Sequence, residues 1–281
     1  MLDDFESASP SAQEAGGESL TVEEAIANLR HEDLSLRYYA AWWIGRFGVR
    51  EPEAIDALLD LLQEHGDRTE AGGYPLQRNA ARALGKVGDD RAVPALIDCL
   101  DSPDYYVREA AAEGLERLGD PEAIPALLKL LDGGVEAAVR VPGKPHLNQP
   151  YDTIIEALGS LKATEATEAI APFLNHSFER VHYSAARAMY QLTGDPAYGD
   201  RLVEALRGSK LQLRRSALID LGAIGYLPAA PAIAQTLAEN SIKLISLKGI
   251  VEHHLDSPEA DKPPALSEAA IDTLYLMDSL L

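Results

Sequence analysis

The stretch VREAAAEGLERLGDPEAIPALLKLL, Val107 to Leu131, reads as two helices joined by a tight turn. Its first half carries apolar residues at offsets 0, 4 and 8 (Val107, Ala111 and Leu115), which line one helical face. Gly119-Asp120 ends that helix and supports a turn. Pro125 falls early in the second helix, where its missing N–H costs little. The pattern returns from Leu36, Leu76, Pro150, Val181 and Leu213. Aligned on the first alanine column, the copies stand at Ala40, Ala80, Ala111, Ile154, Ala185 and Ala217, spaced 40, 31, 43, 31 and 32. A unit of about 31 residues with two insertions predicts an all-α fold, a right-handed α-solenoid of helical hairpins with about six to seven repeats.

The insertions are Gly/Pro-rich and read as loops near 65–75 and 132–150. The acidic, Ser/Ala/Gly-rich start reads as a disordered tail over 1–19, with the solenoid over 20–281. The last segment, Leu266 to Leu281, reads as a degenerate helix leaving Leu274, Met277, Leu280 and Leu281 uncovered. Asp and Glu outnumber Lys and Arg 45 to 25, a net charge of −20, which argues against nucleic acid or an anionic membrane as a partner. No apolar run reaches the roughly 18 residues of a membrane span. A single cysteine excludes an internal disulfide and points to a reducing compartment, the cytoplasm.

The repeat resembles the short HEAT-like repeat of the phycobilisome lyases. RYYAAWWIGRFG, Arg37 to Gly48, is similar to a signature of the E-type subunits of the heterodimeric bilin lyases. The resemblance implies a subunit that acts with an F-type partner. It binds a linear tetrapyrrole such as phycocyanobilin as substrate, with no further cofactor required. The bilin passes to a cysteine of a phycobiliprotein, the phycocyanin alpha subunit being the expected acceptor, through a thioether at the ethylidene of ring A. The thiol belongs to the acceptor, so the lyase itself need not supply a nucleophile.

Function must lie where the copies differ. Offsets 2, 6 and 10 of each first helix lie opposite the buried face and form a stripe. It runs Tyr38, Trp42, Arg46; Arg78, Arg82, Lys86; Glu109, Glu113, Arg117; Asp152, Glu156, Ser160; Tyr183, Arg187, Gln191; Arg215, Ile219, Ala223. Seven basic and four acidic residues make it positive on an acidic chain. The resemblance places this helix on the concave side. Such a stripe suits a bilin, whose propionates want Arg or Lys and whose conjugated plane wants aromatic faces. Tyr38, Trp42 and Arg46 are expected to hold one end, and Arg78, Arg82 and Lys86 to meet propionates. Glu109 or Asp152 would face the pyrrole nitrogens. Tyr74, Tyr105 and Tyr106 are expected to flank the groove just ahead of their helices.

The bland alternative for each charged position is a solvated solenoid face. Arg37, Arg108 and Arg214, recurring at offset 1, read as structural bonds between repeats, Trp43 as core and Cys99 as a buried, inert thiol. The scattered histidines predict no metal site. For proton transfer the candidates are His146, Asp152, His182 and Tyr183, and the sequence does not rank them. A non-catalytic protein-binding scaffold or chaperone is the rival reading. A HEAT-repeat metal hydroxylase needs several His-Glu pairs, and only His31-Glu32 is present.

Overall fold

Thr21 opens the helical stack. Its hydroxyl accepts from the Glu24 N–H at 3.2 Å and its own N–H donates to the Glu24 carboxylate at 2.9 Å, a reciprocal capping box. The computed structural model describes residues 20–255 and 266–281. The tail expected over 1–19 lies outside the described residues. A lone helix, α1 (Val22–Asn28), is followed by hairpins α2 (Leu34–Phe47) with α3 (Pro52–Leu62), α4 (Pro75–Val87) with α5 (Val93–Cys99), and α6 (Tyr105–Leu118) with α7 (Ile124–Lys129). A short α8 (Gly134–Ala137) lies within the second insertion. Then come α9 (Tyr151–Ser160) with α10 (Thr167–Ile170), α11 (Glu179–Thr193) with α12 (Pro196–Ala205), α13 (Leu211–Ile224) with α14 (Ala230–Gln235), and α15 (Asn240–His253) with α16 (Glu268–Asp278).

The first helices pack one on the next, α2 on α4 on α6 on α9 on α11 on α13 on α15, and form one layer. Most second helices pack on the first helix of the following pair and form the other. The fold is an α-solenoid, as the repeat predicts. The alanine column explains the close approach: Ala40, Ala80, Ala111 and Ala185 are fully buried and Ala217 nearly so. Glycine carries it further. A Cβ on Gly85 would stand 2.5 Å from the Gly114 Cα. Gly85→Ala gains about 1 kcal/mol of helix propensity but overpacks backbone against backbone at about 1–3 kcal/mol. The expected net result is a lower melting temperature by circular dichroism.

The stack has seven hairpins, where the sequence shows six copies. The seventh was hidden because its alanine column carries Ser246, which is buried and donates its hydroxyl to the Leu218 carbonyl. Lys243 stands where the offset-1 arginine recurs; it is buried and snorkels, Nζ donating to the Ala234 carbonyl at 3.1 Å. Leu247 and Ile250 supply the buried face. Helix α16 packs on α14 and α15. Met277 and Leu280, expected to be uncovered, pack against the core, while Leu274 and Leu281 stay exposed.

Three arginines at offset 1 bond backbone carbonyls between segments, as their recurrence suggests. Arg37 Nε donates to Leu29 O, and Arg214 donates to Leu237 O and Gly208 O. Arg108 donates to Ser102 O, Asn148 O and Gln149 Oε1 at 2.6–2.8 Å, pinning the end of the second insertion onto α6. The hydrophobic core divides into two clusters that meet at α11: one runs from Ala25 to Met189, the other from Ala186 to Ile250.

Candidate functional site

Helix α2 presents aromatic rings outward. Trp42 is 44% exposed and Tyr39 48%, and the two rings stack at 5.6 Å. Trp43 points the other way, half-buried against the core and against Phe47 at 4.7 Å. Tyr38 is half-buried, and its hydroxyl donates to Asp67 at 3.3 Å. Asp67 also accepts from Leu76 N, so the first insertion is tied to the starts of α2 and α4. Burial and then Asp67 raise the Tyr38 pKa, which keeps its proton on the phenol.

The next two repeats hold the cations. Arg78 lies 5.9 Å from the Tyr106 ring, and burial followed by Arg82 lowers its pKa. Arg82 reaches Glu109 and Glu113, both at 3.5 Å. Lys86 is exposed, its pKa lowered by desolvation and then by Arg117, Arg82 and Arg46. Arg46, Lys86 and Arg117 thus form a column at offset 10 on the first helices of three successive hairpins. Among the described residues none of the three has a carboxylate partner in an ion pair. Sequence reasoning missed Arg117 as a site residue. The signal was there in the shared offset, but the charge was averaged over the whole stripe.

The middle of the stripe is acidic and partly closed. Glu109 lies between Arg82 and Asp152, and burial pushes its pKa up to about 7, helped by Glu113 and Asp152. Burial also raises Asp152, against the pull of Arg180 at 3.6 Å. Glu156 and Arg187, read from the sequence as exposed, are buried at 7% and 8%. Their charges satisfy each other. Arg187 pairs with Glu116, Glu156 and Asp220 at 2.6, 3.0 and 3.4 Å, and Arg180 with Glu156 and Asp220 at 2.6 and 3.4 Å. Burial raises Asp220 to about 6, while the two guanidiniums outweigh burial at Glu156 and hold it low. This network joins α6, α9, α11 and α13, and it is structural.

The tyrosines expected ahead of α6 in fact open it, with Asp104 capping the Tyr106 N–H at 2.9 Å. Tyr74 caps the start of α4, its N–H donating to the same Asp104 at 2.8 Å and its ring edge-on to His65. His146 stacks flat on Tyr105 at 3.9 Å and meets Tyr106 edge-on at 5.7 Å. Its Nδ1 lies 2.7 Å from the Leu147 carbonyl. Burial strongly raises the Tyr105 pKa. The structure therefore gathers Arg78, Arg82, Tyr105, Tyr106, Glu109, His146 and Asp152 around the open side of α4, α6 and α9. His182 and Tyr183 meet each other at 4.0 Å on α11, with Tyr183 against the second core. Neither ring meets that of His146 among the described residues. Burial lowers the His182 pKa and raises that of Tyr183.

Cys99 is 8% exposed, and burial pushes its thiol up to about 11. Among the described residues no group of three or more His, Cys, Asp or Glu could hold a metal ion. None of the helices described is long and apolar enough to cross a membrane. A groove of about 490 Å³ runs between α13 and α15, lined by Ile219, Ala223, Ile245 and Gly249. It has no Trp, Tyr or Phe in its lining and lies on hairpins other than those of the cation column.

Residues 36–64 match the model of the PBS lyase HEAT-like repeat, and 70–141 that of HEAT repeats. The phycocyanobilin lyase subunit alpha of Nostoc sp. (strain PCC 7120) is 58% identical over 275 residues, 97% of this chain and 99% of that protein. That of Microchaete diplosiphon is 61% identical over 267 residues, 93% and 90% of the two chains. A solved structure of the complex of CpcE and CpcF of phycocyanin lyase from Nostoc sp. PCC7120 superposes with a TM-score of 0.89. It shares 58% identity and covers 98% of this chain and 100% of that one.

Proposed function

This chain belongs to the phycocyanobilin lyase alpha-subunit family, and from that premise we propose that it is the E-type half of a heterodimeric bilin lyase. With an F-type partner it binds phycocyanobilin and attaches it through a thioether to a cysteine of the phycocyanin alpha subunit. The observation that carries the placement of the bilin is the column of Arg46, Lys86 and Arg117, three neighbouring cations beside exposed aromatic rings. Propionates answer those charges, and Trp42 with Tyr39 offers a face to the conjugated plane.

The bilin enters as substrate, and no further cofactor is required for addition of a thiol. Cys99 is buried and held as a thiol, so the acceptor protein supplies the nucleophile. What remains for this chain is to hold the bilin in one orientation, which converts a slow bimolecular addition into a positioned one. The lone thiol and the acidic surface fit a cytoplasmic setting. Co-expression with an F-type subunit, the apo-alpha subunit of phycocyanin and phycocyanobilin tests the reading. Spectra taken after denaturation are expected to show bilin covalently on the acceptor, and only when both lyase subunits are present. Equal attachment with this chain left out would overturn it.

A further inference from the structure

Resting on the lyase reading, we propose that Glu109 is the acid that delivers a proton to the bound bilin as the acceptor thiol adds. Glu109 stands on the first-helix layer where α4, α6 and α9 meet, with its side chain 15% exposed. Arg78 and Arg82 face it from α4, Tyr105 and Glu113 from α6 itself, and Asp152 from α9. Arg82 is shared between Glu109 and Glu113, and the cation beside Asp152, Arg180, also serves Glu156 and Asp220. Carboxylates outnumber guanidiniums along this line, so a proton is the missing counter-charge. Two neighbouring acids are worse placed. Glu156 is fixed by Arg180, Arg187 and Ser184. Glu113 is more open to water than Glu109, at 40%. Burial holds Glu109 near neutrality, at about 7, where an acid keeps its proton yet gives it up readily.

The chemistry balances without an oxidant or reductant. The thiol loses its proton to solvent, and a C–S bond forms at the ethylidene carbon. The π pair of that double bond moves into the conjugated system, which takes up the proton of Glu109. Solvent reprotonates the carboxylate. The result is net addition of S–H across one C=C bond.

The test compares single-turnover attachment by the complete heterodimer carrying wild-type chain or Glu109→Gln. Attachment by the variant is expected to be about a hundredfold slower. Because glutamine cannot donate the proton, the ratio of wild-type to variant rate should be constant below pH about 7, the Glu109 value. It should fall about tenfold per pH unit above that. The thiolate fraction of the acceptor cancels in this ratio. Glu109→Asp is expected to keep the bend at a lower rate, and a protonated-carboxyl band in the infrared should vanish in Glu109→Gln. Bilin binding, followed by absorbance titration, should persist in both variants. A ratio independent of pH, or an unimpaired glutamine variant, overturns the role of Glu109 alone. Failure of the wild-type heterodimer to attach bilin overturns the lyase reading and this inference together.

Discussion

Replacing Arg187 with alanine is expected to lower the melting temperature by on the order of 10 °C. That figure comes from a loss of about 3–5 kcal/mol for an uncompensated buried charge and about 2–4 °C per kcal/mol for a chain of this size. Among the described residues, Arg187 is the one side chain that reaches Glu116 on α6, Glu156 on α9 and Asp220 on α13. Its removal leaves Arg180 alone against Glu156 and the fully buried Asp220. The two hydrophobic clusters also meet at this helix, so the C-terminal hairpins should loosen first. Hydrogen exchange should show α13 to α16 opening at lower free energy than α2 to α6. Arg91 pairs with Asp56 and Asp89 on the surface, and Arg91→Ala should leave the melting temperature nearly unchanged. Equal melting of the two variants would remove the network from any account of stability.

The second large effect concerns the ligand. Lys86→Ala with Arg117→Ala is expected to weaken phycocyanobilin binding by the heterodimer roughly 30- to 100-fold. Two charge-assisted contacts of about 1.5–3 kcal/mol each set the upper bound. Exposure of both side chains brings the sum down to about 2–3 kcal/mol. Titration of bilin followed by absorbance reads it directly, and the wild-type affinity should fall with salt more steeply than that of the double variant. Arg82→Ala is a different case. Arg82 lies 3.5 Å from both Glu109 and Glu113, so its loss also disturbs the acidic middle of the stripe. Binding by the double variant within twofold of wild type would mean that the anions are held elsewhere.

The solenoid was legible because its columns are dictated by packing. Alanines at Ala40, Ala80 and Ala111, and glycines such as Gly85, are readable wherever two helices must touch. The seventh hairpin escaped because serine replaces the alanine of the column at Ser246 and lysine replaces the recurring arginine at Lys243. Both keep the packing and the carbonyl bond while erasing the letters of the repeat. The site was legible in part. Helical periodicity located the stripe, yet it could not tell an open position from one that a neighbouring helix closes. Arg46 and Arg187 look alike in one dimension; the first faces water, and the second lies under carboxylates from three other helices. His146 shows the opposite limit. It sits in an insertion outside the repeat, so no offset assigned it a place beside Tyr105. The bonds of Arg108, a structural residue, settle that place.

The close glycine contacts set a distance as well as a stability. Helices in contact lie about 8–10 Å apart, and a Cβ on Gly45 would stand 2.8 Å from the Ala83 Cα and one on Gly85 2.5 Å from the Gly114 Cα, so α2, α4 and α6 approach more closely than larger residues there would allow. Arg46 follows Gly45 in the chain, Lys86 follows Gly85, and Arg117 lies one turn beyond Gly114. The pitch of the stack is therefore a ruler with a positive mark on the first helix of each of three successive hairpins. A bulkier residue at Gly85 would stretch one interval of the ruler without touching a ligand-facing atom. The interior of the stack and the reach of its charges are one geometric quantity.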